Sequence, residues 1–487
     1  RWPLIMPERV RIESRPCDGV PLFHSKEWRQ TCRSESPAPA GPDAAHTWLR
    51  GERPNLEASF AHAHAEGLDG HVIALAAGLA EILLTDGPWA RALQVHRVAT
   101  EAAERSAHPV AHANALTDFG RARYLTGDYP GADDVLNQAL AIYRTCGDRH
   151  GEANALTDIG YLRHLTGDYP GADDVLNQAL AIYRILGDRH GEANVLTYLG
   201  HVRHLTGDYP GADDAHTRAL ELYRALGHRD GEANALTNLG LVRFLTADYP
   251  GAGVALARAL ELYRALGHHH GEANALTYLG RVWEHDGDLS RAGDAHMGAL
   301  ELYRALGHRL GEAGALRGLG GVRYQTGDYP GAEDAQTRAL ELYRALGHRL
   351  GEASALCNLG RVRYQTGDLP EAGKALARGL ELYRALGHRG NEAWALNHYA
   401  ATLSAAGERT RALGLYQQAL AMNHELNKPD DEAVSLEGIG EHHLTTGDPT
   451  QGTAHLHQAL EIYQRLGMAA DARRLRLRLD DLTARRP

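Results

Sequence analysis

Histidine is the residue type in this sequence best suited to metal ligation or proton transfer near neutral pH, and there are 29 of them. Most recur singly at one place in a longer pattern, as His150, His190, His228, His308 and His348, with His268-His269-His270 the densest run. A metal site needs convergent ligands with supporting hydrogen bonds, and single histidines at this wide spacing read instead as solvated loop residues. The arrangements that organise hydrolysis are missing: there is no HExxH, no GxSxG and no paired Cys/His signature. Cys17, Cys32, Cys146 and Cys357 form no CxxC. Gly373-Lys374 runs into Ala375, so the phosphate-cradling GxxxxGK[ST] loop is lacking as well. The expectation is a chain with no catalytic residue, no cofactor and no metal.

The chemistry that remains is recognition. Asn154, Asn194, Asn234 and Asn274 recur at one interval, and each amide can both give and accept a hydrogen bond with a peptide backbone. Four and seven residues on from each asparagine the residue type changes from copy to copy: Tyr198, Asn238, Tyr278 and Asn358 at the first of these places, Tyr161, His201, Arg281 and Arg361 at the second. Aromatic rings and guanidinium groups in such places select side chains of a partner. The competing reading is that Asn and the neighbouring Thr only satisfy backbone groups near a helix start. The variable positions carry more weight, because packing alone asks for no variation there.

These residues are positioned by a repeat. Gly151-Glu152-Ala153-Asn154-Ala155-Leu156-Thr157 returns as Gly191–Thr197, Gly231–Thr237 and Gly271–Thr277, with weaker copies from Ala111, Gly311, Gly351, Asn391 and Asp431. Every step is 40 residues, giving nine units over 111–470. Within 151–190 the periodicity is helical. Ala155, Leu156, Ile159, Leu162 and Leu165 form one apolar stripe. Gly167 stops that helix, Asp168 caps the next, and Pro170 sits in its first turn, where a missing N–H costs nothing. Ala172, Val175, Leu176, Ala179, Leu180, Ile182 and Tyr183 supply the second stripe. Each unit is helix, turn, helix, loop, and a hairpin with one greasy side must stack on its neighbours. The expected fold is all-α: a right-handed α-solenoid (superhelix) of antiparallel helix pairs, whose first helices line a concave groove. Glu152, Glu192, Glu232 and Glu272 are expected to pair between units with a mid-helix row of Arg123, Arg163, Arg203, Arg243, Arg323 and Arg363.

This unit resembles the tetratricopeptide repeat in its 40-residue class, with Leu156, Ile159-Gly160, Ala172, Leu176 and Ala179 in the family's places. It departs from the pattern where the mid-helix arginines replace an aromatic and where Arg184 replaces a terminal proline. The resemblance implies a protein or peptide ligand in the groove. The segment before the array, through Trp48, Leu49, Glu52, Arg53, Asn55 and Leu56, together with the phrase Leu165–Ala172 and Leu205–Ala212, is similar to the junction in actinobacterial NB-ARC/SARP (AfsR-like) transcriptional regulators. That likeness implies the sensor region of such a regulator, with ATPase and DNA-binding domains upstream in a longer chain. A free-standing interaction scaffold is the alternative.

Residues 1–45, rich in Pro, Ser and Arg, read as a disordered or remnant head, 46–110 as a helical linker or N-terminal capping unit, and 471–487 as a C-terminal capping helix with a solvated basic face. A net charge of −11 argues against direct nucleic-acid binding. No run of about 18 apolar residues offers a membrane span. The unpaired cysteines and the absence of a signal segment lead to the expectation of a piece of a longer cytoplasmic protein.

Overall fold

The computed structural model describes residues 42–85 and 87–484, which form twenty-two helices and, among the described residues, no strand. The expected head lies outside the described residues except for its last four positions, which belong to the helix Pro42–Ala65. Helices Asp69–Thr85 and Trp89–Arg105 follow, and then helix pairs recur on the 40-residue period. The chain divides into two compact units, 1–248 and 249–487, and the division falls between the two helices of one repeat. Each unit is a stack of antiparallel helix pairs, the all-α solenoid arrangement expected from the repeat.

The repeat beginning at Gly151 shows why these residues make this hairpin. Its helices are Arg149–Thr166 and Tyr169–Leu186. Asp148 caps the first, its carboxylate accepting from the Gly151 amide at 2.9 Å, and Asp168 caps the second, accepting from Gly171 at 3.0 Å. Between them Gly167 takes φ 84°, a left-handed turn that an L side chain resists. The predicted second stripe, Ala172 through Tyr183, is buried throughout. The first stripe is buried from Ala155 to Leu162, but Leu165, placed on it by sequence and lying in the last turn of the helix, is 37% exposed. The two helices approach closely at Gly160: a Cβ there would lie 2.6 Å from Leu176 Cγ.

The ionic rows join repeats, though not as the spacing suggested. Glu192, Glu232, Glu272 and Glu352 pair with Arg184, Arg224, Arg264 and Arg344, the arginines ending the preceding second helix, at 2.7–2.9 Å. Of the mid-helix arginines, Arg203, Arg243 and Arg363 reach the preceding second helix as well, at Asp173, Asp213 and Glu333 (3.2, 3.3 and 2.9 Å), whereas Arg123 meets Asp128 at the start of its own second helix at 3.0 Å. The expected Glu–Arg pairing is therefore corrected: a glutamate in the first turn is too far along its helix from a mid-helix arginine, and each row finds its partner on the neighbouring second helix. Such exposed pairs contribute about 0–1 kcal/mol each and act on register more than on stability.

Two further expectations are corrected. His228, His268, His308 and His348 are not free in solvated loops. Each is half-buried, with its Nδ1 accepting from the amide of Gly231, Gly271, Gly311 or Gly351 at 2.8–3.1 Å, so it does for its helix what Asp148 does. Their rings lie 5.2–5.4 Å from Tyr223, Tyr263, Tyr303 and Tyr343. The basic face of the terminal helix Ala469–Ala484 is only partly solvated, since Arg474 is held by Glu437 and Arg478 by Glu441.

Candidate ligand-binding face of the first helices

The second helices repeat Ala, Leu and Tyr at most core positions, although the place of Leu176 becomes His216, His296 and Gln336 in other copies. The first helices carry further differences, on one face. In the unit 1–248 that face begins with Arg121, which is engaged bidentately by Asp158 of the next repeat at 2.7–3.1 Å and touches Asp118 at 3.4 Å. Burial works against the Arg121 charge, but Asp158 and Asp118 outweigh it and hold the guanidinium well above its ordinary range. Beside the pair runs a row of rings from three successive first helices: Tyr124 to Tyr161 at 5.4 Å, and Tyr161 to Tyr198 at 5.5 Å. Tyr161 is 5% exposed and forms the floor of the row, while Tyr198 is half-buried. His201 follows, its ring 5.5 Å from His216 and its Nε2 3.3 Å from Asn238 Nδ2. Burial, and then the neighbouring His164 and His204, lower the His201 pKa to about 4, so its ring is neutral at pH 7. Tyr161, Tyr198, His201 and Asn238, singled out from sequence, thus stand in two linked pairs on successive first helices.

The unit 249–487 carries a different set. Tyr278 and Arg281 lie half-buried on His269–His285, and Asn358 and Arg361 on Arg349–Thr366. The Arg361 guanidinium is 4.5 Å from the Tyr324 ring centre and 5.3 Å from that of Trp394, a cation held between two aromatic faces on neighbouring repeats. Trp394 in turn packs edge-on to His398 at 4.4 Å. The asparagines also have a structural role that was not foreseen from sequence, where the alternative was a bond to local backbone groups. Oδ1 of Asn154, Asn194 and Asn274 accepts from the hydroxyl of Tyr183, Tyr223 and Tyr303 at 2.6–2.7 Å, and Nδ2 of Asn154 and Asn274 reaches His150 and His270. Asn234 is half-buried on Arg229–Leu245.

Asp158 lies at the varied groove position four residues on from Asn154 and is an acid there as Asp118 is in the preceding copy. Sequence reasoning passed over two further contributors. Trp394 stands where other repeats have Asn, and Arg317 where they have Thr. Each breaks the periodicity, and that break is the signal. Among the described residues no three His, Cys, Asp or Glu side chains converge as a metal set, and no helix is long and apolar enough to cross a membrane.

The family model described as tetratricopeptide repeat matches residues 113–185, 151–225, 191–265, 272–345 and 351–423, more than half of the chain. No curated protein matches it significantly. Among solved structures, it is similar to a Rap protein complexed with competence and sporulation factor, with TM-score 0.54 at 14% identity over 74% of this chain and 99% of that one. The Rap conjugation gene regulator of plasmid pLS20, in complex with the Phr* peptide, gives 0.49 at 16% over 70% and 97%. A signal transduction ATPase with numerous domains, carrying a tetratricopeptide repeat sensor and coming from Pyrococcus horikoshii, gives 0.49 at 12% over 78% of this chain and 54% of that one.

Proposed function

Because the chain belongs to the tetratricopeptide repeat family, we propose that it binds a peptide or protein segment across the face of its first helices and is itself non-catalytic. The observation that carries this is the division of labour within each repeat. Most second-helix core positions are constant, whereas the first-helix face changes from Arg121/Asp158 through Tyr198 and His201/Asn238 to Arg361 between Tyr324 and Trp394. Stacking the hairpins requires the constant part and leaves the varied part for selection. The Rap protein of similar fold was solved with competence and sporulation factor bound, which agrees with a binding role for this fold.

The finer reading is the sensor region of an NB-ARC/SARP-type bacterial regulator acting in the cytoplasm. It rests on the Trp48–Leu56 junction and on the Leu165–Ala172 phrase. A GxxxxGK[ST] loop in the reading frame upstream of Arg1 supports the regulator, and a frame without one supports a free-standing scaffold.

The binding reading is tested with the full chain and an immobilised library of random 12-residue peptides. Captured peptides should lose binding to Tyr198→Ser and Asn238→Ala variants while both variants melt as the parent does. Capture that both substitutions leave intact, or hydrogen-exchange protection confined to the second helices, sinks it. These positions suit the test better than Asn194 or Asn274, whose truncation also strips a partner from a buried tyrosine.

A further inference from the structure

The unit 249–487 holds three arginines on consecutive first helices, Arg281, Arg317 and Arg361. In the other unit the corresponding cation, Arg121, is closed off by Asp158. Among the described residues, no carboxylate lies within ion-pair distance of Arg317 or Arg361. Glu284, whose carboxylate reaches this face, is bonded to His296 at 2.6 Å. Arg361 is held between Tyr324 and Trp394, and its Nε is buried without a hydrogen-bond partner. Arg317 lies near enough to Arg281 that, after burial, its charge is the next largest influence lowering the Arg281 pKa. The repeat that carries Arg317 is open at Gly314, which stands where other copies carry Asn and where a Cβ would meet only the Tyr343 hydroxyl at 3.9 Å, whereas a Cβ on Gly321 would lie 3.5 Å from a Glu284 carboxylate oxygen. A ligand backbone can therefore come down beside Arg317 at Gly314.

Resting on the peptide-binding reading, we propose that this face takes an acidic, extended peptide segment whose carboxylates meet Arg317 and Arg361 in turn. The geometry also sets the spacing of those acids. Neighbouring helices lie about 10 Å apart, and a polyproline II segment rises about 3.1 Å per residue with three residues per turn. One acidic side chain every third residue then stays on one face and matches one arginine per repeat. Arginine's planar fork suits a carboxylate, and a guanidinium already immobilised between rings loses little freedom on binding.

The test is fluorescence anisotropy with the full chain and three labelled ten-residue peptides: Glu at every third position, Gln in the same places, and Glu at every second position. The first should bind at least about tenfold tighter than the other two, and the preference should shrink as salt is raised. Arg317→Gln and Arg361→Gln should each weaken the Glu peptide about tenfold and leave the Gln peptide unchanged. Arg317 is not part of the aromatic stack, so it provides the readout should Arg361→Gln fail to fold. Equal affinity for the Glu and Gln peptides overturns the acidic preference but leaves the binding face standing if library peptides are still captured. Displacement by inorganic phosphate as effective as by unlabelled peptide also overturns it, reducing the face to a simple anion site. Failure of every peptide, library members included, brings down the wider reading together with this one.

Discussion

Acidification should weaken the unit 249–487 through two half-buried histidines, and the size of the effect can be worked out. The His270 pKa is lowered to about 4 by burial and then by the charges of His308 and His268, and that of His398 to about 3 by burial and then by Arg361. In the unfolded chain both titrate near 6.5. A folded pKa below the unfolded one means that the stabilisation is complete above about pH 6.5 and is lost as pH falls, because the unfolded state takes up protons the folded state refuses. At pH 5 the unfolded histidines are about 1.5 pH units past their midpoint. At about 1.4 kcal/mol per unit that is roughly 2 kcal/mol each, or about 2–4 kcal/mol together once partial solvent screening is allowed for. The perturbation comes from the protein's own repeats: His270→Leu copies Leu310 and Leu350, and His398→Asn copies Asn238 and Asn358. Urea unfolding of parent and double variant, followed by circular dichroism at pH 7.5 and pH 5.0, gives four free energies. The difference between the proteins should move by about 2–4 kcal/mol in the variant's favour on acidification. A difference that does not move with pH refutes the reasoning, whatever other histidines contribute, since they are common to both proteins.

Other perturbations follow from single contacts. Ala247 occupies with φ 63° the turn position that Gly167 and Gly207 fill in other repeats, so Ala247→Gly should stabilise by about 1 kcal/mol, read as a rise in melting temperature. Gly160→Ala places a methyl group 2.6 Å from Leu176 Cγ and should cost about 1–3 kcal/mol, whereas Gly414→Ala, with no heavy atom within 4 Å, should be neutral or stabilising by up to about 1 kcal/mol in the same denaturation assay. Removing the hydroxyl in Tyr183→Phe leaves Asn154 Oδ1 without that donor and should cost about 1 kcal/mol in urea. Arg121→Ala should destabilise by about 3–5 kcal/mol by stranding Asp158, and a companion Asp158→Leu should recover much of it in a double-mutant cycle.

The hairpin was legible because its rules are local. Gly167, Asp168 and Pro170 encode turn, cap and helix start within four residues, and the apolar stripes need only a period. What lay between repeats was harder to read. Glu192 and Arg203 are both on the first helix of one repeat, yet their partners Arg184 and Asp173 lie on the second helix before it, at distances along the chain that no helical period favours. The histidine caps were missed because imidazole is an uncommon helix cap, though the exchange of Asp148 and Asp188 for His228 and His268 at one register position was a usable clue. On the candidate face, the variable residues were visible as departures from the pattern. Their depth was not: Tyr161 reads like an exposed groove residue and is a buried floor, because the rings on either side cover it.

The tyrosine ending each second helix has a consequence for how this molecule can change in length. Tyr343 lies under Gly351, the first-turn glycine of the following copy, so closely that any Cβ there would sit 2.3 Å from its ring. Tyr303 lies under Gly311 in the same fashion. The fit is a keyed joint, and both halves of the key recur at the 40-residue period. Cutting out 311–350 brings Tyr303 against Gly351 and makes an equivalent joint, whereas removing a few residues more or fewer puts a side chain where the ring must lie. Unequal crossing-over between near-identical stretches of the coding sequence could therefore lengthen or shorten the array by whole copies, each product inheriting sound joints and a new order of recognition side chains.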